Sequence, residues 1–167
     1  SRFRKSGILF KCYLALLHGH ITTKQGILCT TLSPSQHGHI MRPVTPLAPD
    51  ARICRTAFHV LAQSTNATLI AARPLTGRMH QIRAQFAAAG HPLIGDTLYG
   101  ASPCRILPHQ ALHATEMIFP RLSEQVNLDT VTTIRVHSPL PRQFQTLLRQ
   151  RIPPTQFSRS HPDKPDV

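Results

Sequence analysis

The segment ATLIAARPLTGRMHQIRAQFAAAG, residues 67–90, constrains this chain more than any other. An apolar run ends at a Pro-Leu-Thr-Gly punctuation, and four long polar side chains, Arg78, His80, Gln81 and Arg83, follow within six residues. The run 67–75 reads as a strand. Thr76 reads as a helix N-cap and Gly90 as the helix stop, with Met79, Ile82, Phe86 and Ala89 as the apolar stripe between them. Arg78, Gln81 and Gln85 then point away from that stripe, and Arg83 falls at its border. A guanidinium at the edge of a core requires a partner, because an unpaired buried charge costs several kcal/mol, roughly. Two kinds of partner are open: a structural carboxylate, Asp96 or Glu116, or an active-site carboxylate or phosphate held in bidentate fashion.

Acids are scarce enough to make that choice matter. Residues 1–115 hold twelve Lys or Arg against Asp50 and Asp96, within a formal net charge of +12 for all 167 residues. Such a balance attracts polyanions, with nucleic acid as the first partner class. The basic residues are scattered, not stacked on one amphipathic face, and no apolar run approaches the ~20 residues of a membrane helix, so no membrane partner is expected. Cys12, Cys29, Cys54 and Cys104 form no C-x-x-C pair and no secretory leader precedes them, which reads as reduced thiols in a cytoplasmic chain. The His18-Gly19-His20 and His37-Gly38-His39 pairs lack Cys or acidic partners at ligand spacing, so no metal is assigned.

Further strands are expected at 11–19, 26–32, 55–63, 110–119 and 130–137, with 55–63 and 67–75 forming an antiparallel hairpin through the turn at 64–66. Residues 33–54 read as one long loop. Ser138-Pro139 introduces a last helix through about Arg151, with Leu140, Phe144, Leu147 and Leu148 inward. Residues 1–152 are read as one partial domain, and 153–167 as a polar, Pro-rich disordered tail. Together these give an α+β class: a mixed, mainly antiparallel sheet with a few short helices.

PLTGRMHQIRAQFAAAGHPLIGDTLYG resembles, almost unbroken over 27 residues, the signature segment of the RluA-type RNA pseudouridine synthases. Lys11-Cys12-Tyr13-Leu14-Ala15 with Gly19 resembles that family's Lys-x-Tyr-x-Ala strand. Arg55-Thr56 with Phe58, Leu112-His113-Ala114 with Phe119, and Ser138-Pro139-Leu140-Pro141 resemble further segments in the same order. The resemblance covers about residues 11–150. It implies the pseudouridine synthase fold and the isomerisation of uridine to pseudouridine in ribosomal or transfer RNA, with no cofactor and no obligate protein partner. It also implies roles for residues. Tyr13 matches the active-site Tyr, which stacks on the flipped base or passes a proton; its alternative is an ordinary core tyrosine. Arg83 matches an Arg that pairs with the catalytic Asp. Arg78, His80 and Gln81, near a helix N-terminus, would meet phosphate, their alternative being a solvated helix face. Lys11, Arg73 and the basic loop around Arg42 would track the RNA backbone. Asp96 and His113 read as structural groups of a turn and a strand. The nucleophilic Asp of the family's His-Arg-Leu-Asp motif has no counterpart here, so the N-terminal part of the fold is expected to be missing and the carboxylate for Arg83 to lie outside the chain. A catalytically inactive RNA-binding remnant is the alternative, and an unrelated basic ribosome-associated protein the third reading. A sheet without its neighbours is also expected to be marginally stable or aggregation-prone.

Overall fold

The structure, a computed structural model, describes residues 10–36, 38–120 and 133–157. Seven strands build one sheet: β1 (Phe10–His18), β2 (Gln25–Pro34), β3 (Met41–Pro43), β4 (Arg52–Gln63), β5 (Ala67–Pro74), β6 (Leu112–Pro120) and β7 (Thr133–His137). Their spatial order is β3-β2-β4-β5-β1-β6-β7, and every described pairing is antiparallel. Among the described residues two α-helices flank the sheet, α1 (Gln81–Ala88) and α2 (Arg142–Arg151). The α+β architecture is therefore as the sequence indicates.

Alternation along the strands sorts the core into two layers. On one face Ala15 and Leu17 of β1, Val60 of β4, and Ile70 and Ala72 of β5 pack against Ile82 and Phe86 of α1. On the other, Leu16 of β1, Ala62 of β4, and Ala67 and Leu69 of β5 pack against Phe144 and Leu147 of α2. β4 serves both layers because a bulge between Val60 and Ala62 resets its alternation. Beyond Ala15, where β6 ends its pairing with β1, the 91–96 connector takes over the strand edge. His18 N donates to Pro92 O at 2.9 Å and Ile94 N to Leu16 O at 2.9 Å.

Several boundaries differ from the sequence reading. The expected loop 33–54 holds the end of β2, the short β3 and the start of β4. A three-residue strand ending in proline carries too little alternation to be recognised, and it forms because β2 is long enough to pair it. The expected tail is ordered at its start: Pro154–Gln156 makes a 3-10 turn and Phe157 bridges to Ala62. The rest of that tail, 158–167, and residues 130–132 of the expected last strand lie outside the described residues.

The α1 start also moves. Helical geometry begins at Gln81, with His80 as the N-cap residue in the left-handed region (φ 50°). Thr76 does not cap a helix; its hydroxyl accepts from Arg55 N at 2.9 Å and donates to Gln81 Oε1 at 2.8 Å. Met79 consequently sits outside the helix and is 46% exposed, and Ala89 is exposed too, so the expected apolar stripe shrinks to Ile82 and Phe86.

Candidate functional site

The helix start is held to the sheet by amides. Gln81 and Gln85 lie one turn apart and are 4% and 1% exposed. Gln81 Nε2 donates to Arg55 O (2.9 Å) and to Thr56 Oγ1 (2.8 Å). Its Oε1 accepts from Thr76 Oγ1 (2.8 Å) and Arg78 N (3.2 Å). Thr56 passes the chain on, donating to Gln85 Oε1 at 2.6 Å, and Gln85 Nε2 donates to Leu28 O (3.1 Å) and Cys54 O (3.0 Å). A primary amide has two donor hydrogens and one acceptor oxygen, and Gln81 uses them all on the protein. Gln81 is therefore not available to RNA, and Gln85 does not point away from the core. Polarity suggested a solvated side for both; the exposed backbone of a strand start requires the reverse, because its groups must be paired when a helix covers them.

With the two glutamines facing the sheet, Arg83, roughly 160° from both around the helix, turns outward. The carboxylate it meets belongs to this chain. Arg83 Nε donates to Asp96 Oδ2 and Nη2 to Asp96 Oδ1, each at 2.7 Å. The two side chains are 11% and 0% exposed. Asp96, one of the structural partners left open by the sequence, thus holds two of the guanidinium nitrogens and has a salt-bridge role, since its side chain caps no helix. Asp96 is delivered by the connector stitched along β1. Gly95 precedes it at φ +76°, where a Cβ would come within 2.7 Å of His109 O, so neither the conformation nor the space suits a larger residue. The hydrogen-bonded carboxylate raises the Arg83 pKa above its ordinary value.

Tyr99 completes the cluster. Its ring lies under the Arg83 guanidinium, 5.0 Å from ring centroid to Cζ, and edge-on to His80 at 5.8 Å. Its hydroxyl accepts from Met41 N at 2.9 Å and lies 3.3 Å from His80 Nδ1. With its lone pair engaged by Met41 N, the Tyr99 hydroxyl has its proton free for Nδ1, the arrangement in which His80 carries its own proton on Nε2. Burial, and then the charge of Arg83, push the His80 pKa below its ordinary value. His80 is thus a neutral donor at physiological pH, held in a backbone conformation that a non-glycine residue adopts at a cost of about 1 kcal/mol.

Tyr13 stands on the same side of the sheet, at the border of the cluster containing Ile82 and Phe86. It is half-buried, and burial alone pushes its phenol up, so the hydroxyl keeps its proton. It makes no hydrogen bond with Arg83 among the described residues. Arg78 is exposed beside the helix start, and Lys11 shares the Tyr13 side of β1. Arg73 does not join them: it projects from the opposite face of the sheet, its guanidinium 4.2 Å over the Phe10 ring. His113 meets Ser138 O at 3.3 Å, a structural contact. The sequence reading passed over Thr56, Gln85 and Tyr99 as members of this neighbourhood; the Gly-Asp…Tyr-Gly end of the 91–100 segment was the available signal for Tyr99.

The model of a family described as RNA pseudouridylate synthase matches residues 2–88. A Bacillus subtilis (strain 168) protein described as an uncharacterized RNA pseudouridine synthase, YjbO, is 34% identical over 149 residues, covering 89% of this chain and 49% of that protein. The Nitrosomonas europaea ribosomal large subunit pseudouridine synthase D is 32% identical over 157 residues, 88% of this chain and 43% of the relative. Among solved structures, human RNA pseudouridylate synthase domain containing 1 superposes with a TM-score of 0.74 at 26% identity, over 95% of this chain and 65% of that one. The chain spans about half the length of the curated relatives it matches.

Proposed function

The chain belongs to the RNA pseudouridylate synthase family, and from that premise we propose that it supplies the Tyr13–Arg83 half of a site that isomerises uridine to pseudouridine in ribosomal or transfer RNA. The observation that carries the reading is the anchored Arg83. Asp96 takes Nε and Nη2, and the Nη1 donors carry no bond among the described residues. The guanidinium is thus fixed in orientation yet retains donors for a second anionic oxygen, the nucleophilic carboxylate that the resemblance implies. A cation at that position keeps such a carboxylate ionised.

Tyr13 offers a ring face for the flipped base and a protonated hydroxyl for proton transfer. His80, neutral, donates through Nε2, and the exposed Arg78 and Lys11 meet phosphates. The reaction breaks the bond from uracil N1 to the sugar and remakes it to C5, so the C5 hydrogen leaves to solvent. No residue of the 167 matches the His-Arg-Leu-Asp nucleophile segment. Tritium release from RNA labelled at uridine C5 therefore tests the reading: none from this chain alone, and turnover from a chain carrying that segment ahead of Lys11, abolished by Arg83→Ala. Release by the 167 residues alone, or none from the longer chain on any ribosomal or transfer RNA, overturns it.

One observation favours a second reading, an inactive RNA-binding member of the fold: the bidentate pair already neutralises Arg83 from within. RNA binding by the longer chain without tritium release selects that reading.

A further inference from the structure

α2 covers only part of its face of the sheet. It packs where β1, β4 and β5 carry Leu16, Ala62, Ala67 and Leu69. Toward β2 and the start of β4 no described element covers the same face, and Ile27 and Ile53 are 52% and 60% exposed there. Alternation places two arginines on this open area. Arg55 lies between the buried Cys54 and Thr56, and Arg73 follows the buried Ala72, so both point away from α1. The register sets them close: Arg55 is opposite Cys29, and Arg73 is opposite Ala57, two residues along the same strand from Arg55. That spacing is about 8 Å between Cα atoms, so side chains of this length reach a phosphate and a neighbouring base of one strand. Arg42, which follows the buried Met41 on β3, extends the basic rim.

Among the described residues no acid pairs with the arginines of this area. Asp96 is taken by Arg83, and Glu116, which faces Arg73 across Cys12, is taken by Arg135 at 3.1 Å. Asp50, in the loop before β4, pairs with none of these arginines. Arg73 is also pre-oriented. Its guanidinium lies 4.2 Å over the Phe10 ring while the residue remains exposed, which presents the other face of the planar cation to solvent. A flat cation on an aromatic support is a stacking platform for an unpaired base, and the isoleucines give an apolar floor beside it.

We propose that this open face, on the opposite side of the sheet from Tyr13 and Arg83, is a second RNA-docking surface that takes a single-stranded segment, with Arg55 and Arg42 on phosphates and Arg73–Phe10 stacking a base. The proposal rests on the functional reading only in taking RNA as the anion. It gives the protein a grip on RNA remote from the target uridine, through which substrates differing only at a distance from that uridine are told apart.

The test is fluorescence anisotropy of the 167-residue chain with a labelled single-stranded RNA over a range of salt. Arg55→Glu/Arg73→Glu weakens binding at least tenfold and flattens the log–log salt slope by about 0.7, the one phosphate contact of Arg55. A charge-matched control on the exposed side of α2, Arg142→Glu/Arg149→Glu, changes affinity less than threefold. Equal loss in the two variants means that net charge alone acts, and overturns the surface. Sedimentation showing that the wild-type chain dimerises, and that the Arg55/Arg73 variant does not, assigns the face to a second copy and also overturns it. Should the variant fail to fold, ultraviolet crosslinking of wild-type protein reads the same question: crosslinked peptides within 25–34 and 52–63 support the surface, and their absence beside crosslinks elsewhere refutes it. Binding is read without turnover, so RNA gripped here while the longer chain with the nucleophile segment releases no tritium sinks the proposed function and leaves this inference standing.

Discussion

The two helices are attached to the same sheet by opposite chemistries. α2 is a conventional amphipathic helix. Phe144 and Leu147 are buried, Leu140 and Leu148 flank them, and Arg149 and Arg151 fall in the last turn, where the helix dipole favours cations. α1 buries two glutamines as deeply as its phenylalanine and joins β2 and β4 through an amide–hydroxyl chain. An apolar contact tolerates sliding, since dispersion and burial depend weakly on direction. A saturated chain of hydrogen bonds does not, because each displaced donor or acceptor is left buried without a partner. The helix that carries the candidate site is thus the one whose position is fixed by directional bonds, and the helix on the other face supplies bulk stability.

The largest losses test whether both attachments matter equally. Phe144→Ala removes the main apolar anchor of α2 and costs about 3–5 kcal/mol. Asp96→Ala strands the Arg83 guanidinium at 11% exposure and costs a similar ~3–5 kcal/mol. Urea melts followed by circular dichroism read both, and a loss below ~1 kcal/mol for Asp96→Ala means that the pair is solvated and the site unanchored. A single sharp transition in the parent chain also contradicts the marginal stability anticipated for a sheet without neighbours.

Gln85→Met should come next. It keeps the volume of the side chain and removes the bonds to Thr56, Leu28 and Cys54, costing about 2–3 kcal/mol. The matching change on α2, Leu148→Met, conserves volume without breaking a bond and costs under ~1.5 kcal/mol. Equal costs would erase the distinction between the helices.

The smallest effect is a pH dependence. His80 has a folded pKa below its ordinary 6.5, set by burial and then Arg83. The unfolded chain therefore binds more protons than the folded one as pH falls through 6.5, so this residue's contribution to stability is complete above that pH and lost on acidification toward the folded value. Tyr99, Arg83 and Asp96 are the groups that face it. His18, also depressed by burial and then Arg151, adds a term of the same sign. His80→Gln is expected to shrink the drop in melting temperature between pH 7.5 and pH 5 without removing it; an unchanged drop would show that His80 titrates in solvent.

The strands were legible because β1, β4 and β5 carry long apolar or alternating runs, and the hairpin at 64–66 because Ser64 and Asn66 are turn formers that bond one another at 3.2 Å. The last helix was legible for the same reason. α1 was harder: a reading by polarity turns Gln81 and Gln85 to water and places Met79 in the core. Its true start depends on Thr76 and Thr56, residues 5 and 25 positions away from Gln81 along the chain, and no local pattern encodes bonds at such separations.

The order of residues alone settled the fold class, the family resemblance, the basic character and the list of chemically capable side chains, since each depends on local periodicity, composition or motif spacing. Which of those side chains faces what was left to the tertiary structure. Packing α1 on β4 consumed Gln81, and running the 91–96 connector along β1 brought Asp96 under Arg83. Strand alternation sent Arg73 to the side away from Lys11. A hydrogen bond or ion pair has a direction and a length, and only the folded chain brings its two ends within that length.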